Sequence, residues 1–123
     1  MAQDLPVIVL VEDDDGLRRA LARMLSVCAF RVLAFATAES ARDSAKWDDA
    51  ACLVADVRLP GMSGFDLLRW LRRSGRGLPA IVITAAASER GRAEATALGV
   101  SAYLEKPMHR RGLVAAIRKA ISS

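Results

Sequence analysis

Two cysteines, one histidine and no long apolar run limit what this 123-residue chain can be. Cys28 and Cys52 lie in apolar contexts without metal-type spacing or a CxxC pattern, so we expect buried free thiols, not a disulfide or a zinc site. No apolar stretch approaches the roughly 18 residues of a membrane span. The first residues lack the basic flank of a signal peptide, so the sequence predicts a cytoplasmic protein with no membrane association.

Aromatic residues are also scarce, at 5%, although the net charge is +4. The arginines are spread over the polar faces of predicted helices, with no interleaved aromatics and no recognition-helix pattern. We therefore expect a solvated arginine surface and no direct nucleic-acid binding, with DNA binding kept as an alternative. A nucleotide-binding domain is a further alternative, but the turn after the first apolar run is acidic and would repel a pyrophosphate.

What the chain does contain is an alternation of short apolar runs and segments of helical period. The runs predict strands near 6–11, 31–35, 51–55, 80–84 and 101–104, each followed by a helix. The run at 31–35 begins with a charge and is typical of an edge strand, whereas three others are continuously apolar. Five βα units predict a single three-layer, doubly wound α/β domain over residues 1–123, with a parallel five-stranded sheet and no output domain.

The helices carry recognisable start and stop signals. Thr37, Ser63 and Ser88 are predicted N-caps, and the helices near 38–48 and 89–98 follow the first and last of them. Asp66 completes a capping pattern with Ser63, and Gly99 closes the helix near 89–98. Three apolar stripes are predicted to be buried: Leu17, Ala20, Leu21, Met24 and Leu25; Phe65, Leu68 and Leu71; and Leu113, Ala116, Ile117, Ala120 and Ile121.

Polar residues follow four of the five predicted strands. They are Glu12 and Asp13, Asp56, Thr84, and Lys106. Because the carboxyl ends of parallel strands meet at one edge of the sheet, we expect these side chains to converge there. Asp56 also begins a Pro/Gly turn, which places its carboxylate between the protein interior and water.

The three carboxylates predict a metal site. Converging acids repel one another, and one of them takes up a proton unless a cation lies among them. All-oxygen ligation favours a hard ion such as Mg²⁺, or Mn²⁺. We assign Asp13 and Asp56 as direct ligands, Glu12 as the holder of a water on the metal, and the carbonyl of Arg58 as a backbone ligand.

The same edge can support phosphoryl transfer onto Asp56. A divalent ion neutralises part of the incoming charge, while Lys106 and the hydroxyl of Thr84 can pair with the remaining phosphoryl oxygens. Positioning and electrostatics supply nearly all of the catalysis in such a site.

Four segments in this order resemble the response-regulator receiver domain (CheY-like) of bacterial two-component signalling. They are Val11–Asp14, Asp56 with Leu59–Gly64, Ile83–Ala85 and Tyr103–Pro107. The likeness covers the whole chain and implies a flavodoxin-like fold with strand order 2-1-3-4-5. It also implies phosphorelay chemistry, in which a histidine kinase or phosphotransfer protein donates to Asp56, and a cis bond before Pro107.

The resemblance assigns roles residue by residue. Glu12 and Asp13 match the acidic pair, Asp56 the acceptor and Lys106 the lysine, while Thr84 and Tyr103 match the switch pair. In the family the switch changes the surface that corresponds to residues 89–122, which implies control of an output domain, a target protein or a homodimer.

Several positions depart from the family pattern or favour one alternative. Glu12 stands where many receivers have Asp, and Met108 replaces a commoner Phe. Arg58 and Ala86 occupy positions that tune phosphoryl lifetime in the family. A phosphatase or phosphomutase needs an acid two residues after its nucleophile, where this chain has Arg58. We therefore expect no enzyme activity beyond the domain's own Mg²⁺-dependent phosphorylation and dephosphorylation.

Gly91 has two interpretations. It lowers the stability of the first turn of the helix near 89–98 by about 1 kcal/mol relative to alanine, which predicts that this helix moves most on switching. The alternative is a tolerated surface glycine.

Overall fold

The computed structural model of the protein describes residues 4–122, in which five strands alternate with five α-helices. The strands are β1 (Val7–Val11), β2 (Arg31–Phe35), β3 (Ala50–Asp56), β4 (Ala80–Thr84) and β5 (Ala102–Glu105). The helices are α1 (Asp15–Val27), α2 (Ala38–Ser44), α3 (Gly64–Arg73), α4 (Glu89–Ala97) and α5 (Arg110–Ser122). Each predicted strand is present, and the predicted alternation is confirmed.

All strand pairs are parallel, in the order β2-β1-β3-β4-β5, as predicted. The charged start of β2 correctly predicted an edge strand, and β5 forms the other edge. The chain moves from β1 outward to β2 and then returns to β3, so the strand order reverses between β1 and β3. In open parallel sheets a crevice forms at this reversal, outside the carboxyl ends of the strands.

The sheet is covered on both faces because successive side chains of a strand point to opposite sides. On one face Val9 and Leu53 pack with α2, α3 and α4, in a cluster that includes Leu68. On the other face Ile8 and Val54 pack with α1 and α5. The two cores hold the carboxyl ends of β1, β3 and β4 in a fixed register.

The predicted helix caps are confirmed. Thr37 accepts from the backbone N–H of Ser40, and Ser88 accepts from Gly91. Ser63 and Asp66 form a complete capping box at α3. Gly99 lies just beyond α4 with a φ of 69°. The Lys106–Pro107 bond is cis, as the family resemblance implied.

The predicted helix near 38–48 is shorter than expected. α2 ends at Ser44, the backbone of Ala45 is extended, and residues Trp47–Asp49 form a separate 3₁₀ turn. The turn buries the indole of Trp47, whose Nε1 donates to the carbonyl of Arg42 at 3.3 Å. Burial of this large aromatic in the core outweighs continuation of a helix through two poor helix formers, Asp48 and Asp49.

Two predictions about burial were wrong in detail. Ala20 is exposed, because the buried face of α1 is narrow and centres on Leu21 and Leu25. Both cysteines are free thiols, as predicted, but Cys28 is only half-buried at the end of α1. Burial raises the pKa of Cys52 to about 12.

No helix within residues 4–122 is both long and apolar enough to cross a bilayer.

Gly64 couples α3 to the end of β3. Its N–H donates to the carbonyl of Val57 at 3.0 Å, and a Cβ built on it would overlap the backbone carbonyl of Asp56. Only a glycine at this position therefore lets the start of α3 pack directly against the strand end.

Replacing Gly64 with alanine should lower the free energy of unfolding by about 1–3 kcal/mol, because the added methyl group must push α3 away from β3. Urea denaturation would measure this as a lower midpoint with an unchanged m-value. Gly16→Ala is the matched control, since the nearest atom to its Cβ is Asp14 Oδ1, at an ordinary 3.5 Å. Equal midpoints for the two variants would contradict the close approach.

Candidate functional site

Three of the predicted side chains meet at the carboxyl edge of the sheet. Lys106 follows β5, and its Nζ lies 2.6 Å from Asp56 Oδ2 at the end of β3. The same Nζ lies 3.0 Å from Glu12 Oε1, which follows β1. One ammonium group therefore bridges two carboxylates that are 44 residues apart in the sequence.

Both carboxylates are buried: Glu12 is 0% exposed and Asp56 is 4% exposed. Burial raises the pKa of Glu12, although hydrogen bonds from Asp14 and Lys106 oppose the rise. Burial alone would lower the pKa of Lys106, but its hydrogen bonds to Asp56 and Glu12 outweigh that effect and raise it. Lys106 is therefore a stable ammonium that partly compensates the two buried acids.

A backbone N–H fixes the second oxygen of each carboxylate. Glu12 Oε2 accepts from the backbone N–H of Asp14 at 3.1 Å, and Asp56 Oδ1 accepts from Arg58 at 3.0 Å. Each acid is thus held by one ammonium contact and one local turn. Because a carboxylate oxygen has two lone pairs, both groups keep capacity for a further ligand.

Asp13 completes an acidic cluster that suits a divalent cation. It is exposed, and one carboxylate oxygen from each of Glu12, Asp13 and Asp56 lies within 4.8 Å of the others. Carboxylate oxygens are the donors that Mg²⁺ prefers, and an exposed third acid leaves room for the waters that this ion retains. The donor set therefore fits the predicted metal.

Thr84 is the last residue of β4 and is only 2% exposed. Its backbone carbonyl accepts from the N–H of Lys106 at 2.8 Å, which places these two residues side by side. Its Oγ1 accepts from the N–H of Ala86 at 3.2 Å and is 3.3 Å from the carbonyl of Ala86. The hydroxyl is therefore engaged by its own loop.

Tyr103 lies in β5, half-buried, and is turned toward the first turn of α4. Its Oη accepts from the backbone N–H of Ser88 at 3.4 Å. The guanidinium of Arg92 lies 5.2 Å from the centre of the ring. The ring is thus held by a long hydrogen bond and a cation–π contact.

Sequence reasoning missed two acids that hold the loops of this edge. Glu39 in α2 accepts from the N–H of Met62 at 2.9 Å, and this hydrogen bond is the main cause of its lowered pKa. Glu105 accepts from the N–H of Ala87 at 3.2 Å. These partners are 23 and 18 residues away, so no local pattern could have indicated them.

Comparison with known proteins agrees with this geometry. Residues 8–118 match the family described as "Response regulator receiver domain". The transcriptional regulatory protein FixJ of Azorhizobium caulinodans is 36% identical over 121 residues, which cover 98% of this chain and 57% of FixJ. The transcriptional regulatory protein GltR of Pseudomonas aeruginosa is 35% identical, with 90% of this chain and 47% of GltR covered. This chain therefore spans about half the length of these relatives.

A solved structure gives the same result. The non-phosphorylated receiver domain of HemR from Leptospira biflexa superimposes with a TM-score of 0.89 at 31% identity. The superposition covers 96% of this chain and 95% of the HemR domain. With a family match over residues 8–118 and a relative 36% identical over 98% of its length, this chain belongs to the response regulator receiver domains.

Proposed function

We propose that this domain is a phosphorylation-dependent signalling switch in which Asp56 accepts a phosphoryl group. The observation that carries the proposal is the contact of Asp56 with Lys106 at the sheet edge, beside Glu12 and Asp13. Family membership supports the same general function. The donor we propose is a phosphohistidine of a histidine kinase or phosphotransfer protein.

In the proposed reaction, a carboxylate oxygen of Asp56 attacks the phosphorus atom of the donor in line with the leaving group. A P–O bond forms and the P–N bond of the phosphohistidine breaks, with its electron pair passing to the ring nitrogen. The other ring nitrogen carries a proton, so the leaving group is a neutral imidazole. The product is an acyl phosphate on Asp56. The backbone N–H of Arg58 fixes one Asp56 oxygen at 3.0 Å and so limits rotation of the nucleophile.

Besides compensating the buried acids, Lys106 contacts the phosphoryl group in the proposed reaction. Its ammonium lies 2.6 Å from Asp56 Oδ2, close enough to turn from that oxygen to a phosphoryl oxygen. Proximity to Glu12 keeps it at the same edge when the contact to Asp56 changes. Lys106 therefore stabilises charge that develops during transfer.

Mg²⁺ or Mn²⁺ would be held by Asp13, Asp56 and the backbone carbonyl of Arg58. Glu12 would hold a water on the metal. The ion, when bound, supplies positive charge to the acids and to the incoming phosphoryl group. We propose no wider enzymatic activity than the domain's own phosphorylation and dephosphorylation. The exposed side chain two residues after Asp56 is Arg58, which cannot act as the acid that a phosphoester hydrolase needs there.

The proposed response uses Thr84 and Tyr103. The acyl phosphate adds roughly −1.5 to −2 charges and new acceptor oxygens. The hydroxyl of Thr84 exchanges its bonds to Ala86 for a phosphoryl oxygen, and Tyr103 turns inward from α4. Residues 89–122 then present a different surface.

That surface would control a further region or a separate target. FixJ and GltR are named transcriptional regulatory proteins, and this chain spans about half of their length. We therefore propose that residues 89–122 act on an output domain, on a partner protein or on a second copy of the domain.

Incubation with acetyl phosphate and Mg²⁺ should add one phosphoryl group to the protein. Asp56→Asn should abolish the gain, because an amide is not nucleophilic enough to form the acyl phosphate. Omission of Mg²⁺ should also abolish it. Intact-protein mass spectrometry measures the gain.

Asp43→Asn is the matched control, since Asp43 is an exposed carboxylate that pairs with Arg42 and is not one of the three clustered acids. It should be phosphorylated like the wild type. If the Asp56→Asn variant were phosphorylated to the same extent as the wild type, Asp56 would be excluded as the acceptor.

Lys106→Met should lower the free energy of unfolding by about 3–5 kcal/mol without Mg²⁺, because it leaves buried carboxylates without their ammonium partner. Added Mg²⁺ should stabilise this variant more than the wild type, since the ion no longer competes with Lys106 for the same oxygens. Urea denaturation at several Mg²⁺ concentrations measures both effects.

Lys46→Met replaces an exposed lysine outside the site and should change stability by less than about 0.5 kcal/mol, with the same response to Mg²⁺ as the wild type. If the Lys106 and Lys46 variants responded alike to Mg²⁺, the acids would not form the metal site.

A further inference from the structure

Gly91 lies against the hydroxyl end of the Tyr103 side chain. A Cβ built on Gly91 would overlap Tyr103 Oη, and it would lie only 3.1 Å from both Tyr103 Cζ and Ser88 Oγ. Gly91 is half-buried, so it is not the plain surface glycine that one interpretation of the sequence allowed. The missing side chain at position 91 leaves a notch that the phenol of Tyr103 fills.

The glycine is not required by its backbone. Gly91 is the third residue of α4 and has no positive φ, so alanine would be the better helix former there. Gly112 is the third residue of α5, and a Cβ at that position would meet nothing within 4 Å. The two glycines therefore share a helix position and differ in whether an added methyl group meets Tyr103.

The contacts of Tyr103 lie at the N-terminal end of α4. Ala95 is the one buried residue of the helix, and the other ties to α3 lie toward its C-terminal end. There Glu94 pairs with Arg69, and the carbonyl of Leu98 accepts from Arg72 at 3.0 Å. At the N-terminal end, Tyr103 contacts Ser88, Gly91 and Arg92.

We propose that Gly91 is a positioning residue for Tyr103. Because Gly91 has no side chain, the phenol of Tyr103 can lie against the first turn of α4 in the resting domain. A methyl group at position 91 expels the phenol and moves the ring toward its switched orientation without phosphorylation. The inference rests on the proposed role of Tyr103 in the switch. The size of the side chain at position 91 then determines how the resting domain divides between the two orientations of Tyr103, against α4 and turned inward.

Tyr103 is the sole tyrosine, so labelling with 3-fluorotyrosine reports on this ring alone in ¹⁹F NMR. The wild-type resonance is recorded at rest and with Mg²⁺ plus beryllofluoride, a mimic of the phosphoryl group. The resting Gly91→Ala resonance should be displaced toward the wild-type position with beryllofluoride. The resting Gly112→Ala resonance should coincide with that of the resting wild type, and a Gly91→Ala resonance that also coincides would overturn the proposal.

A double-mutant cycle tests the contact without any phosphoryl chemistry. Gly91→Ala should lower the urea midpoint relative to Gly112→Ala in the wild-type background. In the Tyr103→Ala background, Gly91→Ala should instead raise the midpoint, as Gly112→Ala does. Equal effects of Gly91→Ala in both backgrounds would show that Tyr103 does not occupy the notch.

Failure of the proposed switch movement and failure of the proposed Gly91 contact give different results. A wild-type resonance that does not respond to Mg²⁺ and beryllofluoride would reject the proposed switch movement of Tyr103, and with it the shift in resting balance. The cycle would still determine whether Gly91 positions the ring.

Discussion

Two buried carboxylates share one ammonium at the edge of this sheet, and the rest of the site is built around that constraint. Glu12 and Asp56 are removed from water by the same packing that fixes β1 and β3, so a positive charge must reach them from within the protein. Lys106 supplies it from the end of β5, and the N–H of Lys106 bonds to the carbonyl of Thr84. The parallel register thus brings two carboxylates, an ammonium group and the hydroxyl-bearing Thr84 to one place.

The contacts around this cluster divide the site into a fixed half and a responsive half. Asp56 and the loop after β3 are held by short hydrogen bonds, from Arg58 at 3.0 Å and from Met62 to Glu39 at 2.9 Å. Thr84 and Tyr103 are held by longer bonds of 3.2–3.4 Å to nearby loop atoms. Longer bonds are weaker, so the proposed switch pair can change partners while Asp56, the proposed acceptor, keeps its geometry.

The strands and the edge residues were predictable because both depend on local pattern: apolar runs mark buried strands, and their last residues must share an edge. The length of α2 was not predictable, since it depends on where the indole of Trp47 finds space in the core. The role of Glu39 and the notch at Gly91 could not be predicted from the sequence for the same reason. Each is defined by a partner that only the folded chain brings near, and the glycine itself has an ordinary helical backbone.

Charge balance links the proposed acceptor, Asp56, to the proposed switch residue Thr84. In the resting domain one ammonium, that of Lys106, contacts the carboxylates of Glu12 and Asp56, and the carboxylate of Asp13 lies within 4.8 Å of both acids. Each charge added to Asp56 must therefore be met by a cation or by hydrogen-bond donors that move toward it. A buried hydroxyl beside Lys106 is such a donor, and Thr84 can turn to the site only by releasing its own loop. The shortage of positive charge that makes the site suited to a divalent ion thus also favours the proposed rearrangement of the β4–α4 loop.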